Sequence, residues 1–202
     1  ILTHIRHSEK VFVMKRLLLI LILTFSFQAW TKADDIRDFE IEGMSIGDSL
    51  LDYYSKGEIK KNTLKDEYPK NNSMKRVLFN LADKTYGSLM IHYRKNDNKF
   101  IIFGILGTLE FKDFNDCYKT SKKISKELDK IFLNIKVQKY EKKHAADKSG
   151  KSTNKGYAYW FTDESFVNVA CYDWSQKMAY SDHLRVEIVG EELQEFLKLN
   201  FG

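Results

Sequence analysis

The two cysteines are the residues whose chemistry is easiest to read from this chain. Cys117 and Cys171 are the only cysteines among its 202 residues. An even number of cysteines in an oxidising compartment favours a disulfide. Cys117 falls on the apolar stripe of a predicted helix, and Cys171 shares a strand face with Val167 and Val169. We therefore predict a Cys117–Cys171 disulfide, with two separate buried thiols as the alternative.

The histidines beyond residue 33 show no metal-ligand spacing. His92 and His183 fall on the polar faces of predicted strands, and His144 falls in a charged stretch. No carboxylate pattern accompanies them as a second coordination shell would require. The acidic pairs of the chain fit a chain start, a turn and a helix start, not an acid/base pair. We predict no catalytic residue, no metal and no cofactor.

A four-residue motif near the start of the domain offers a candidate nucleophile. The sequence Gly47-Asp48-Ser49-Leu50 resembles the signature of the GDSL hydrolases, and the resemblance implies a nucleophilic serine in a parallel α/β sheet. That family also needs a Gly-x-Asn-Asp block and an Asp-x-x-His block. The chain has no such glycine before its Asn-Asp pairs, and Tyr180 stands three residues before His183. A serine hydrolase is therefore the alternative function, and a helix start is the structural interpretation.

The segment Gly150-Lys151-Ser152 resembles the end of a phosphate-binding P-loop. The first glycine of that motif would fall at position 145, which is Ala145. A lysine-rich stretch precedes the segment where a P-loop needs a strand. We interpret it as a flexible loop.

Residues 14–33 have the pattern of a secretory signal peptide. Lys15 and Arg16 precede 14 apolar or weakly polar residues, and Thr31 and Ala33 suit a cleavage site. This run is shorter than a membrane-spanning helix needs, although an uncleaved anchor is the alternative. We interpret residues 1–13 as an upstream extension of the true start, and we expect a periplasmic or secreted protein cleaved near Ala33.

Loss of residues 1–33 changes the charge of the chain. The complete sequence has a formal net charge of +5, with 33 basic and 28 acidic residues. Residues 1–33 hold five basic residues and one acidic residue, so the remainder keeps 28 and 27. A net charge of +1 removes the main argument for nucleic acid as a partner.

Periodicity predicts an α+β domain over residues 34–202. The helices are predicted at 45–55, 113–135 and 191–199, with a polar linker at 56–73 and a charged loop at 139–155. The strands are predicted at 75–81, 86–94, 100–111, 156–162, 166–174 and 179–189. This order, α-βββ-α-βββ-α, suggests two similar halves, at about 43–111 and 112–202. Each half is a helix with a three-stranded antiparallel meander, and the helices are expected to pack on one sheet face.

Strand alternation in the second half separates two faces. Val167, Val169 and Cys171 should point to the helix with their counterparts on the next strand. The opposite face would carry Asn168, Tyr172, Trp174, His183, Arg185 and Glu187. Aromatic residues mixed with arginine and histidine on an uncovered sheet resemble partner-binding surfaces. An ordinary solvated sheet face is the alternative.

The predicted long helix carries lysines along one face. Lys119, Lys122, Lys123, Lys126 and Lys130 would project from it. Such a face suits an anionic lipid or an acidic partner. An envelope-associated structural role is therefore a further alternative, and a solvated helix face is the structural one.

The segment Gly43-Met44-Ser45-Ile46-Gly47-Asp48 resembles the helix entry of exported α+β modules. BamE-like proteins and β-lactamase-inhibitor-protein-like folds share this entry, and the second group also shares the tandem order of elements. The resemblance implies a periplasmic binding or envelope-assembly module without catalysis. No cysteine follows the apolar run, unlike in BamE-type lipoproteins. We expect a non-catalytic exported binding module whose partner is a protein or an envelope component.

Overall fold

The computed structural model describes residues 35–65, 68–81 and 84–201. The predicted extension at 1–13 and the predicted signal peptide at 14–33 lie outside these residues. The described chain forms one seven-stranded antiparallel sheet with three α-helices, which confirms the α+β class. The strands are β1 Met74–Asn80, β2 Ser88–Arg94, β3 Ile102–Glu110, β4 Lys136–Lys143, β5 Thr153–Trp160, β6 Phe166–Asp173 and β7 His183–Val189. The helices are α1 Lys56–Asn62, α2 Phe114–Ile131 and α3 Glu191–Phe201.

The strands do not form two separate meanders, so the predicted α-βββ-α-βββ-α order is wrong. The sheet order is β1-β2-β3-β7-β6-β5-β4, and β3 pairs directly with β7. The halves predicted at 43–111 and 112–202 therefore share one sheet. Six strands were predicted and seven are present in the described residues. The additional strand, β4, falls largely in the segment predicted as a loop at 139–155. It is an edge strand that pairs only with β5, and most of its side chains are exposed on both faces. A strand without a buried face lacks the apolar alternation that marks a strand in sequence.

The helix predicted at 45–55 does not form. Gly43 and Gly47 adopt positive φ angles of 81° and 93°, which break a helix. The backbone instead pairs with the residues that lead into β3: the Gly47 N–H donates to the Ile102 carbonyl, and the Leu50 N–H to the Phe100 carbonyl. Only a short 3₁₀ turn, Leu50–Asp52, remains.

The first α-helix begins instead within the predicted linker at 56–73. Ser55 caps α1: its hydroxyl accepts a hydrogen bond from the Glu58 N–H, and the Glu58 carboxylate accepts one from the Ser55 N–H. This reciprocal pair satisfies two backbone groups that a helix start leaves free. Ile59 is fully buried and attaches the short helix to the core.

Helix α2 packs across β5, β6 and β7 on one face of the sheet. We call this the first face, and the opposite face the second face. Asp113 caps it by accepting from the N–H groups of Asn115 and Asp116. Leu128 on the helix and Val169 on β6 are fully buried in the same cluster. The Cα atoms of Cys117 and Cys171 lie 6.0 Å apart with their sulfurs at bonding distance, so the predicted disulfide joins α2 to β6.

Helix α3 lies on the opposite face, so the expectation that all helices pack on one face is wrong. The side chains of Met74 and Val189 point to the face opposite to that of the main core. They form a second buried cluster with Leu193 and Phe196 of α3. Gly104 permits the close approach: a Cβ at this position would lie 2.2 Å from Leu193 Cδ2. The second face is thus covered by α3 at one end and carries polar and aromatic residues at the other.

Candidate functional site

The six residues predicted on the second face do lie together on it. Tyr172 on β6 pairs with His183 on β7, and Asn168 pairs with Glu187. Arg185 lies on the same face between these two cross-strand pairs, and Trp174 follows directly after β6. Their shared face follows from the two-residue period of a strand. A role in binding stays a prediction.

These residues do not form the open surface that the sequence suggested. Asn168 and Tyr172 are each only 5% exposed, and the other four are half-buried. Three further residues pack against them. The Tyr140 hydroxyl donates to Asn168 Oδ1 at 2.9 Å, and the rings of His144 and Tyr180 lie 4.4 and 4.9 Å from that of Trp174.

Tyr172 is at the centre of the arrangement. The Arg185 guanidinium carbon lies 4.2 Å from the centroid of its ring, a favourable cation–π distance. The His183 ring stacks 5.0 Å away at 14°, and the Trp174 ring lies 6.0 Å away at 19°. Asn154 on β5 is the cross-strand partner of Tyr172 on its other side. We call Asn154, Tyr172, Trp174, His183 and Arg185 the Tyr172 cluster.

Four buried atoms of the Tyr172 cluster have no hydrogen-bond partner within the described residues. They are Asn154 Oδ1, Trp174 Nε1, His183 Nε2 and Arg185 Nε. A buried polar atom without a partner costs about 1–3 kcal/mol, so native proteins keep few of them. Their gathering around one aromatic ring marks this place as different from the rest of the core.

The hydrogen-bonding role of the His183 ring follows from its other nitrogen. Nδ1 lies 2.9 Å from the carbonyl oxygen of Ser181. A carbonyl only accepts, so Nδ1 carries the hydrogen. Burial lowers the pKa of His183 below its ordinary value, which favours the neutral ring. The unpartnered Nε2 is therefore an acceptor, as is Asn154 Oδ1, whereas Trp174 Nε1 and Arg185 Nε are donors.

The Arg185 guanidinium has no carboxylate within 4.0 Å in the described part of the chain. Its Nη1 donates to the Tyr172 hydroxyl at 3.3 Å, but none of the ion pairs in that part of the chain includes it. The nearby acid Glu187 is engaged by the Asn168 amide at 2.8 Å. A half-buried guanidinium without a counter-charge favours the approach of an anion.

Asp147 ties together the two loops beside the cluster. Its Oδ2 accepts from the backbone N–H and hydroxyl of Ser152 and from the hydroxyl of Ser175, at 2.7–2.9 Å. These hydroxyl hydrogen bonds hold the pKa of Asp147 well below its ordinary value. The β4–β5 loop, which supplies His144, is thereby fixed to the segment after Trp174.

The structure also places the other motifs that the sequence singled out. Ser152, the serine of the P-loop-like segment, is fully buried on the Asp147 carboxylate, a neighbour that would repel a phosphate. The Ser49 hydroxyl donates to the Lys99 carbonyl at 2.6 Å, so its proton points to a group that cannot act as a base. Within the described residues no group of three or more His, Cys, Asp or Glu side chains suits a metal ion.

The lysine face predicted for the long helix is present on α2. Its five lysines are exposed, and two of them form ion pairs on the helix itself, Lys119 with Asp116 and Lys130 with Glu127. The anionic-lipid interpretation stays a prediction. Among the helices of the described residues, none has the length and apolar character to cross a membrane.

Two clefts open at the other end of the sheet, away from the Tyr172 cluster. One, of about 430 Å³, lies between the Asp35–Arg37 turn and the start of α3. The other, of about 550 Å³, lies between Trp160, the segment after α2 and the outer side of α3. Neither contains an unpartnered buried polar atom, which leaves the cluster as the best-supported candidate site.

Sequence reasoning missed Tyr140, His144, Asn154 and Tyr180. Three of them fall in the segment predicted as a loop, and Tyr180 in the segment predicted as the start of a strand. A comparison of the chain with family models, with curated proteins and with solved structures finds no match to any of them.

Proposed function

We propose that this protein is an exported, non-catalytic binding module that takes up a small polar ligand at the Tyr172 cluster. The observation that carries the proposal is the set of four buried, unpartnered polar atoms around one aromatic ring. Ligand sites combine aromatic walls with a few precisely placed polar groups, which is the composition found here. Export is inferred from the sequence of residues 14–33, and a disulfide suits that compartment.

The burial of the cluster favours a small ligand over a protein partner. A docking surface needs about 800 Å² of accessible area per partner. The polar groups of the cluster are almost inaccessible, and Tyr180, at 61% exposed, is the large exposed side chain beside it. The Tyr180 ring packs edge-to-face on the Trp174 ring.

A thermal-shift screen of the full chain against a library of polar metabolites tests the proposal. A ligand present at 100 times its Kd stabilises a protein by about 2.7 kcal/mol. This corresponds to a rise in Tm of roughly 5–10 °C for a chain of this size. We expect at least one compound to raise the Tm of wild type but not that of the double variant Trp174→Phe/Arg185→Gln.

The matched control for this screen is Arg94→Gln. Arg94 lies on the same sheet face at the end covered by α3, where it pairs with Glu192. Its loss should leave the ligand-induced shift unchanged. The proposal fails if no compound stabilises the wild type, or if the double variant responds to the same compounds by the same amount.

A further inference from the structure

The outer edge of the sheet at β4 carries a second set of unpartnered polar groups, and these belong to the backbone. We propose that this edge binds an extended acidic peptide segment of another protein, which adds an eighth strand to the sheet beside β4. The proposal goes beyond the ligand site at the Tyr172 cluster, because it rests on the backbone and the charge of a different part of the fold.

The pairing of β4 with β5 identifies the backbone groups that point outward. The eight cross-strand pairs run without a register shift, and beyond the last of them the His144 N–H donates to the Ser152 carbonyl at 2.8 Å. In an antiparallel pair, residues whose backbone groups point to the partner strand alternate with residues whose groups point away from it. His144 points to β5, so the outward residues are every second one before its neighbour. They are Lys143, Glu141, Lys139 and Val137.

These outward groups are open to an added strand. β4 is the last strand of the sheet, and apart from its ladder with β5 no backbone–backbone hydrogen bond of the described residues reaches it. The edge at β1 is different: the Leu64 N–H donates to the Arg76 carbonyl at 2.8 Å, and Thr63 bridges Val77. The segment after α1 thus covers part of one edge, whereas the edge at β4 is a template for strand pairing.

The charge of β4 indicates the kind of strand that fits. Its sequence, Lys-Val-Gln-Lys-Tyr-Glu-Lys-Lys, has four lysines and one glutamate, a net charge of +3. Glu141 pairs with Lys155 Nζ at 2.8 Å, and none of the ion pairs in the described residues includes a β4 lysine. Opposite charges on neighbouring strands contribute about 0.2–1 kcal/mol per pair, and like charges directly opposite are unfavourable. An acidic strand therefore complements this edge.

Charge argues against two occupants from the chain itself. A second copy that paired β4 with β4 would place a net charge of +3 against +3. Residues 1–34 contain five basic and two acidic residues, which again gives a net charge of +3. Lysines on an edge strand hinder self-association. The same lysines attract an acidic strand, whose main-chain hydrogen bonds supply affinity and whose alternate side chains supply specificity.

Fluorescence anisotropy of the full chain with labelled eight-residue peptides tests the proposal. The peptide (Glu-Val)4 is acidic and can pair as a strand, (Glu-Pro)4 keeps the charge but lacks every second N–H, and (Lys-Val)4 reverses the charge. We expect (Glu-Val)4 to bind at least about tenfold more tightly than either, a factor equal to about one to three net hydrogen bonds. Its affinity should fall as the salt concentration rises.

Two variants of one residue connect this binding to β4. Lys139→Pro removes an outward N–H that an added strand would use and none that β5 uses, which an edge strand tolerates. Lys139→Gln removes the same charge but keeps the N–H. We expect the proline variant to bind (Glu-Val)4 at least about tenfold more weakly than wild type, and the glutamine variant less than about fivefold more weakly. Lys123→Gln, on α2, should bind as wild type does, and circular dichroism verifies that each variant folds.

Three results would overturn the proposal. Equal binding of (Glu-Pro)4 and (Glu-Val)4 would show that charge alone holds the peptide. Loss of binding in Lys123→Gln but not in Lys139→Pro would place the peptide on α2. Absence of binding by (Glu-Val)4 would leave the β4 lysines only the role of hindering self-association. The metabolite screen tests the Tyr172 cluster and not this edge, so the two proposals fail separately.

Discussion

Removal of the disulfide is expected to lower the free energy of unfolding by about 4 kcal/mol. Cys117 and Cys171 are 54 residues apart in sequence, and closing a loop of that length restricts the unfolded chain by this amount in the chain-entropy model. Both cysteines are fully buried, and their bond fixes α2 to the strand that carries Tyr172. The double variant Cys117→Ala/Cys171→Ala should therefore unfold at a markedly lower urea concentration.

Reduced wild type is the matched control for this variant. It retains both side chains and loses only the bond, so it separates the effect of the cross-link from that of the lost sulfur atoms. We expect urea unfolding of the reduced wild type to show most of the same loss. A difference below about 1 kcal/mol between oxidised and reduced protein would contradict the structural role assigned to the disulfide.

Gly156→Ala is expected to destabilise the fold by about 3 kcal/mol or more. A Cβ at Gly156 would lie 2.3 Å from the Val169 carbonyl oxygen and 2.6 Å from the Ala170 Cα. These are backbone atoms of the neighbouring strand, so they can move only if β5 and β6 separate. Overpacking that forces backbone shifts costs about 1–3 kcal/mol and sometimes more.

Gly87→Ala provides the comparison for this variant. The nearest atom to a Cβ at Gly87 is the Thr108 carbonyl oxygen at 3.8 Å, an ordinary contact. Urea unfolding should show Gly87→Ala close to wild type and Gly156→Ala far below it. Equal stabilities of the two variants would show that β5 and β6 are not packed as described.

Elements with at least one buried apolar face were predictable from the sequence. Helix α2 and the strands β2 and β6 were predicted within a few residues of their bounds because apolar residues recur on one side of each. β4 was not predicted, because an edge strand exposed on both faces has no such recurrence. The helix predicted at 45–55 failed for another reason: its backbone pairs with the chain at the start of β3. Apolar residues at helical spacing do not reveal such long-range pairing.

The candidate site was predictable only in part. The shared face of Tyr172, His183 and Arg185 follows from the two-residue period of adjacent strands. Their neighbours Asn168 and Trp174 are contacted by Tyr140 and His144, which come from a strand and a loop that the sequence does not mark. The unpartnered atoms depend on side-chain directions, which no sequence pattern encodes.

The hydrogen bond of the Trp174 indole tests the central claim most directly. The full chain has three tryptophans, so a ¹H–¹⁵N spectrum shows few indole N–H signals, and Trp174→Phe assigns the one of interest. On saturation with a compound that the thermal-shift screen identifies, we predict a downfield shift of the Trp174 signal, because its N–H gains an acceptor, while the Trp160 signal stays in place. A bound compound that leaves the Trp174 signal unmoved, or that moves the Trp160 signal instead, would contradict the account.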